Sequence, residues 1–243
     1  MKKLFMFLAF AGIMMCSATN MVAQDSTMFE DEVEVPVHQQ LKIKFIEGGP
    51  AFMGIILLCL VLGLAISIER ILYLNLATVN TQKLLKNVED ALRTGGVEAA
   101  KEVCRNTRGP VASIFYQGLS RASEGIEIVE KSVVSYGSVQ MNQMESGLSW
   151  IQLFIAIAPM LGFLGTVIGM IEAFDAIQVR GDISPNVVAG GIKIALITTV
   201  GGLVVAIILQ LFYNYILSKI DSLVTSMEDA SISLVDILTK YNK

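Results

Sequence analysis

Two threonines, Thr166 and Thr199, are the residues of this chain whose setting suits chemistry. Each stands in a long hydrophobic segment among small residues that recur at steps of three and four. Pro159, Gly162, Thr166, Gly169 and Ala173 form one series; Gly191, Ala195, Thr199, Gly202 and Ala206 form the other. On a helix such steps share one face. A hydroxyl on that edge can line a wet ion path, or it can bond back to a carbonyl four residues earlier and serve packing alone. Thr198 points about 100° away from Thr199 around the helix and stays open between the two roles. Small residues let backbones approach closely in lipid, so Gly162, Gly165, Gly169, Gly201 and Gly202, with Ala195 and Ala206, read as packing sites.

Other chemistry is hard to build from this sequence. No nucleophile is paired with a base, and no phosphate loop or metal-ligand cluster is legible, so neither catalytic residues nor a cofactor or metal is expected. Cys16, Cys59 and Cys104 are isolated, which gives no disulfide framework and reads as small hydrophobes. His38 reads as a solvated residue and Trp150 as an interfacial or core aromatic. A net charge of -4 gives no reason to expect nucleic acid.

The elements that must position the threonines are membrane helices. Hydrophobic residues make up 53% of the chain and charged ones 16%, with a mean hydropathy of +0.62, far more apolar than a water-soluble domain. Residues 1–23 read as a signal peptide: basic Lys2 and Lys3, an apolar run too short to span comfortably, and Ala23 before polar Gln24. Cleavage is expected after Ala23, with Cys16-Ser17-Ala18 a competing site and an uncleaved extra helix the alternative. An acidic arm and pre-membrane segment follow over 24–50. Spans are expected at 51–74, 148–177 and 187–215, a cytoplasmic helical region at 75–147, an outer loop at 178–186 and a cytoplasmic C-terminal helix at 216–243.

Charge orients the spans. Nine basic residues from Arg70 to Lys131 lie between the first two spans, whereas the short loop after the second holds only Arg180. By the positive-inside rule the long region is cytoplasmic, which places the N-terminus outside and agrees with a cleaved signal. Helix punctuation is expected at Gly95-Gly96, Gly109-Pro110 and Gly125. With no Gly-Pro break after Ile126, a continuous helix to Ala176 would run about 75 Å, although Gly137 and Gly147 weaken that stretch. Ile216, Ile220, Leu223, Met227, Ala230, Leu234, Ile237 and Tyr241 form a heptad seam that needs another helix, the projecting one or a neighbour's. The small stripes and this seam together exceed what one three-span subunit is expected to bury, which implies a homo-oligomer. Lys193, near the start of the third span, is expected to snorkel, with a pore-mouth position the alternative.

IAPMLGFLGTVIGMIEAF followed by GGIKIALITTVGGLVVAI and Tyr213-Asn214 resembles the MotA/TolQ/ExbB proton-channel family. Three spans and a modest cytoplasmic region resemble the ExbB and TolQ branch, ExbB first and TolQ a close second. The resemblance begins near residue 45 and is sharpest over 158–214. It implies a pentameric ring in the bacterial inner membrane, enclosing single-span helices of an ExbD- or TolR-like partner that carries a membrane aspartate. It implies too a TonB-like protein that receives the work. By motif position Thr166 and Thr199 would face the pore, and Pro159 would open the second-span motif. Two departures stand: the family's acidic residue near the start of the third span falls at Ile194, and a proline falls at Ile208.

One observation favours this independently. The middles of all three spans lack Asp, Glu, His and Lys, and Glu172 and Asp175 lie near an outer end, so a proton path would need an acid from another chain. A non-conducting scaffold is the competing class, and it would tolerate loss of the hydroxyls. A solute permease is disfavoured, because no charged or broken helix marks a midplane site.

Overall fold

The computed structural model describes residues 36–181 and 185–241. The expected signal peptide, most of the acidic arm and the core of the outer loop lie outside the described residues. The chain divides into two units, 1–43 and 44–243. Of the first, residues 36–43 are described and open helix α1, Val37–Glu47; the second contains everything that follows.

The fold is all-α, as the sequence implies. After α1 come α2 (Pro50–Ala77), α3 (Thr81–Arg105), α4 (Pro110–Ser120), a single 3-10 turn at Ala122–Glu124, α5 (Ile126–Glu145), α6 (Leu148–Arg180) and α7 (Pro185–Tyr241). Three helical stretches, in α2, α5–α6 and α7, are long and apolar enough to cross a membrane. Local signals set the ends. Pro50 begins α2, where its missing N–H costs nothing. The Asn80 side chain accepts from the Lys83 N–H at 3.1 Å to cap α3, and Gly181 closes α6 in a left-handed conformation. The expected punctuation at Gly95-Gly96, Gly109-Pro110 and Gly125 is present.

Two cores reflect two solvents. Among the spans only Ile56, Ala158, Val205 and Leu209 form a buried cluster, edged by Met53, Leu60 and Phe154. Lipid is as apolar as leucine, so burial there gains little beyond close contact. Beyond the spans water supplies the drive, and a larger core forms from α3, α4, α5 and the second half of α7, centred on Val88, Phe115, Val133 and Leu234. Phe115 is wholly buried, a burial that stabilises by about 1.5–3 kcal/mol.

Three expectations need correction. The helix expected to run unbroken from Ile126 is interrupted at Ser146-Gly147, where Gly147 takes φ 84°. The third span and the C-terminal helix, expected as two segments, are one helix of 57 residues, about 85 Å long, because nothing in that stretch breaks it. The heptad tail and the small stripes are both covered within one chain. Ile216, Ile220, Leu223, Met227, Ala230 and Leu234 pack into the chain's own larger core, with Leu238 rather than Ile237 completing the seam. Unburied stripes therefore do not argue for an oligomer.

Candidate functional site

The turn between α6 and α7 is short, so the two helices are antiparallel neighbours whose small faces meet. A Cβ built on Gly162 would lie 2.9 Å from the Thr198 carbonyl oxygen, and one on Gly165 2.7 Å from the Thr198 hydroxyl. On Gly169 it would approach the Gly191 carbonyl to 3.2 Å, and on Gly202 it would strike the Ala158 carbonyl. These four glycines lie where the two helices approach most closely. The buried edges run Ala158, Gly162, Gly165, Gly169, Ala173 on α6 and Ala195, Thr198, Gly202, Val205, Leu209 on α7. Relative to the stripes read from spacing, each edge is turned by about one residue. Pro159 and Ala206 consequently sit half-buried at its margin.

This rotation separates the three threonines. Thr198 is buried in the seam and donates to the Ala195 carbonyl at 2.8 Å. Thr166 and Thr199 are half-buried beside the seam. Thr166 donates to Phe163 O at 2.6 Å; Thr199 reaches Ala195 O at 3.3 Å and, across the seam, Gly162 O at 3.4 Å. A hydroxyl that donates its proton keeps two lone pairs for water or a hydrated ion.

The side on which they lie follows from α2. That helix packs over Gly201 and Leu209, and Gly48 just before it lies against Ile197: Met53 Cε would touch a Cβ on Gly201 at 3.1 Å, and Leu209 fills the space over Gly63. Thr199 stands about 200° around α7 from both Ile197 and Gly201. On α6, Phe154 and Leu161 join the α2 cluster, and Thr166 is about 140° past Leu161. Both hydroxyls therefore share the α6–α7 face that α2 leaves uncovered.

Charges stand only at the ends of this assembly. Lys193 Nζ bonds Glu47 Oε1 at 2.8 Å, and Glu47 Oε2 takes Lys44 at 3.0 Å. Those lysines, Lys193 foremost, hold the Glu47 carboxyl below its ordinary value of 4.5. Lys193 thus ties α7 to the end of α1 and does not snorkel free. At the other end of α2, Arg70 pairs with Glu69 at 2.7 Å, stacks over Tyr73 at 5.2 Å and donates to the Gln143 carbonyl at 3.3 Å. That carbonyl is one of those left open where α5 stops. Spacing alone signals neither contact, although the opposite charges of Glu47 and Lys193 at the ends of two spans were visible in the sequence.

The family model for the MotA/TolQ/ExbB proton channel family matches residues 106–229, half of the chain and all of the α6–α7 seam. This chain belongs to that family. It is 36% identical over 168 residues to a putative biopolymer transport protein ExbB homolog of Methanothermobacter thermautotrophicus, covering 68% of this chain and 59% of that relative's length. The biopolymer transport protein ExbB of Neisseria meningitidis is 27% identical over 193 residues, 72% of this chain and 86% of its own. That of Xanthomonas campestris is 32% identical over 112 residues, 46% and 44% respectively. A proton-channel family and three span-length helices make this a multi-pass membrane protein of transport type. Neither the departure at Ile194 nor the one at Ile208 disturbs the seam: Ile194 is half-buried, and Ile208 lies beside buried Leu209.

Proposed function

We propose that the chain is the ExbB-like subunit of a proton-driven motor in the bacterial inner membrane, acting with an ExbD-like partner to energise TonB-dependent transport across the outer membrane. The observation that carries it is the placement of Thr166 and Thr199 together on the face of α6–α7 left open by α2. Five copies, with that face turned inward, would surround a path lined by hydroxyls and small residues. The spans hold no Asp, Glu, His, Lys or Arg along 51–68, 148–171 or 194–218, so the proton-carrying acid comes from the single-span partner's aspartate. The N-terminus is periplasmic, the α3–α5 bundle and the end of α7 cytoplasmic, as the excess of Lys and Arg in that bundle supports.

The test is the valine substitution of both threonines. An interhelical hydrogen bond in a membrane contributes about 0.6 kcal/mol on average, so Thr166→Val and Thr199→Val should leave protein level and oligomer size unchanged. Losing the hydroxyls dries the path, and we expect TonB-dependent uptake to fall severely in each. Full uptake in the double variant would instead support a scaffold that does not conduct. Co-purification is the companion measurement: a single-span protein with an intramembrane aspartate should be retained, and its absence counts against the motor.

A further inference from the structure

Between α4 and α5 lies an open basic cleft of about 370 Å³, walled by Gln117 of α4, Arg121 just after it, and Lys131, Ser132, Ser135 and Tyr136 of α5. Two cations line it and no carboxylate does: Glu124, Glu127 and Glu130 stand close by in sequence, yet none belongs to the wall. Neither Arg121 nor Lys131 forms a salt bridge among the described residues, whereas Lys44, Arg70, Arg93, Lys101 and Lys193 all do. The cleft between α3 and the end of α7 is the contrast. There Glu89 and Asp236 balance Arg93 and Lys240, and Arg93 is tied to Glu89 at 2.6 Å.

The hydroxyls of the two helices repeat this division. Ser113 and Ser120 of α4 and Ser138 of α5 each donate to the carbonyl four residues back, a common bond for serine within a helix. Ser132 and Ser135, the remaining serines of these helices and the two in the cleft, donate to no carbonyl among the described residues. Two unpaired cations and two uncommitted hydroxyls therefore share one concavity. A phosphate monoester carries about -1.5 to -2 charges and three acceptor oxygens, so it uses both kinds of donor together; a carboxylate would match only one cation. Its source is water-borne. A Cβ on Gly118 would meet Val133 at 2.7 Å and Leu234 at 3.4 Å, so this part of α5 packs at the level of Leu234. Leu234 lies about 22 Å along α7 beyond Lys219, the charge that ends its apolar run. A headgroup layer reaches only about 5–8 Å past the hydrocarbon core. Beside the cations, Tyr136 presents a ring and Val139, 46% exposed, an apolar surface on the same face of α5, which suits an organic group attached to the phosphate.

We propose that this cleft binds a small, water-borne phosphate monoester, its phosphoryl group held by Arg121, Lys131, Ser132 and Ser135 and its organic part against Tyr136 and Val139. The site lies outside the spans and does not depend on ion conduction, so its test is separate from that of the proposed function. Full-length protein in detergent is titrated calorimetrically with adenosine monophosphate, whose base can lie on the Tyr136 ring, and in separate arms with adenosine and with inorganic phosphate. We expect saturable binding of one monophosphate per chain, weaker as salt is raised, and none of adenosine. Arg121→Gln and Lys131→Gln should each weaken it about tenfold, as loss of a hydrogen bond between charged groups implies. Both cations are exposed, so these variants should keep the native Tm. Gln117→Glu, nearly the same shape, should abolish binding by repulsion and keeps the test open if a cation variant misfolds. Inorganic phosphate binding as tightly as the monophosphate, and weakened alike in Arg121→Gln, would assign the cleft to free phosphate and overturn the ester. Adenosine binding as tightly as its monophosphate, no saturable binding at low salt, or unchanged affinity in the Arg121→Gln, Lys131→Gln double variant would overturn the site.

Discussion

Lys193 and Glu47 are joined at 2.8 Å across 146 positions of sequence, where the end of α1 meets α7. The pair lies on the α2 side of α7, since Lys193 shares a helix face with Ile197 and Gly201. It is therefore turned away from Thr199, six residues on and about 120° around. Its role is to hold the end of α1 against α7, with Lys44 as a second cation on the same carboxylate.

That arrangement fixes a pH dependence. A carboxyl held below its ordinary value stabilises the tie wherever it is ionised, and the contribution is lost only as pH falls below 4.5 and through the lowered value. We expect a Glu47 titration followed by carbon NMR to move up toward 4.5 in Lys193→Gln, and less so in Lys44→Gln. The carboxylate keeps 30% of its side-chain surface open to solvent and stands away from the threonines, so uptake at neutral pH should be nearly unchanged in either variant. An unmoved titration in Lys193→Gln would mean that the pair does not persist.

The seam predicts a contrast between glycines. Gly202 faces the Ala158 backbone with no room for a Cβ, whereas Gly54 has open space around its α-carbon. Overpacking a fixed backbone contact costs about 1–3 kcal/mol. Gly202→Ala should therefore lower stability by that amount in detergent unfolding. Gly54→Ala should be neutral or raise it by about 0.5–1 kcal/mol, the usual gain within a helix. Equal effects would remove the α6–α7 contact as the reason for the small residues.

The sequence makes the spans legible, because a charge-free run such as 51–68 has few other uses, and Gly109-Pro110 is an unmistakable helix boundary. It gives the existence of the seam but not its phase. Stripes through Thr166 and through Gly165 have equally good spacing, and which one is buried depends on how α6 and α7 rotate against each other and against α2. The tail left its partner open for a related reason: Ile216 to Leu234 reads as a seam that fits the chain's own projecting helix or a neighbour's, and it packs against three helices of the same chain.

Cys104 offers a probe of the larger core, the one beyond the spans. It is 2% exposed on α3, and burial pushes its thiol up to about 12. At pH 8 only about one thiol in ten thousand would be ionised, and the thiolate is the reactive form. In a Cys16→Ala, Cys59→Ala background, maleimide should leave the native protein unlabelled for hours and label it completely once denatured. Rapid labelling of the native state would show that the α3–α5 bundle opens readily.

The break at Gly147 carries the last prediction. A side chain there would have room, since a Cβ would sit 3.5 Å from Ile66 Cγ2 and 3.6 Å from Arg70 Nε. The obstacle is the backbone: φ of 84° costs an L-residue about 1–2 kcal/mol. Gly147→Ala can relieve that cost by rejoining α5 to α6 as the single helix the sequence suggests, which would draw the Gln143 carbonyl away from Arg70. Asparagine tolerates the left-handed region, so Gly147→Asn should keep the break. Spin labels at exposed Val134 and Phe163 report the angle between the two helices. We expect a shifted or broadened distance in Gly147→Ala together with lower thermal stability, and a native distance in Gly147→Asn. An alanine variant with both native distance and native stability would show that the left-handed residue is not what bends this element.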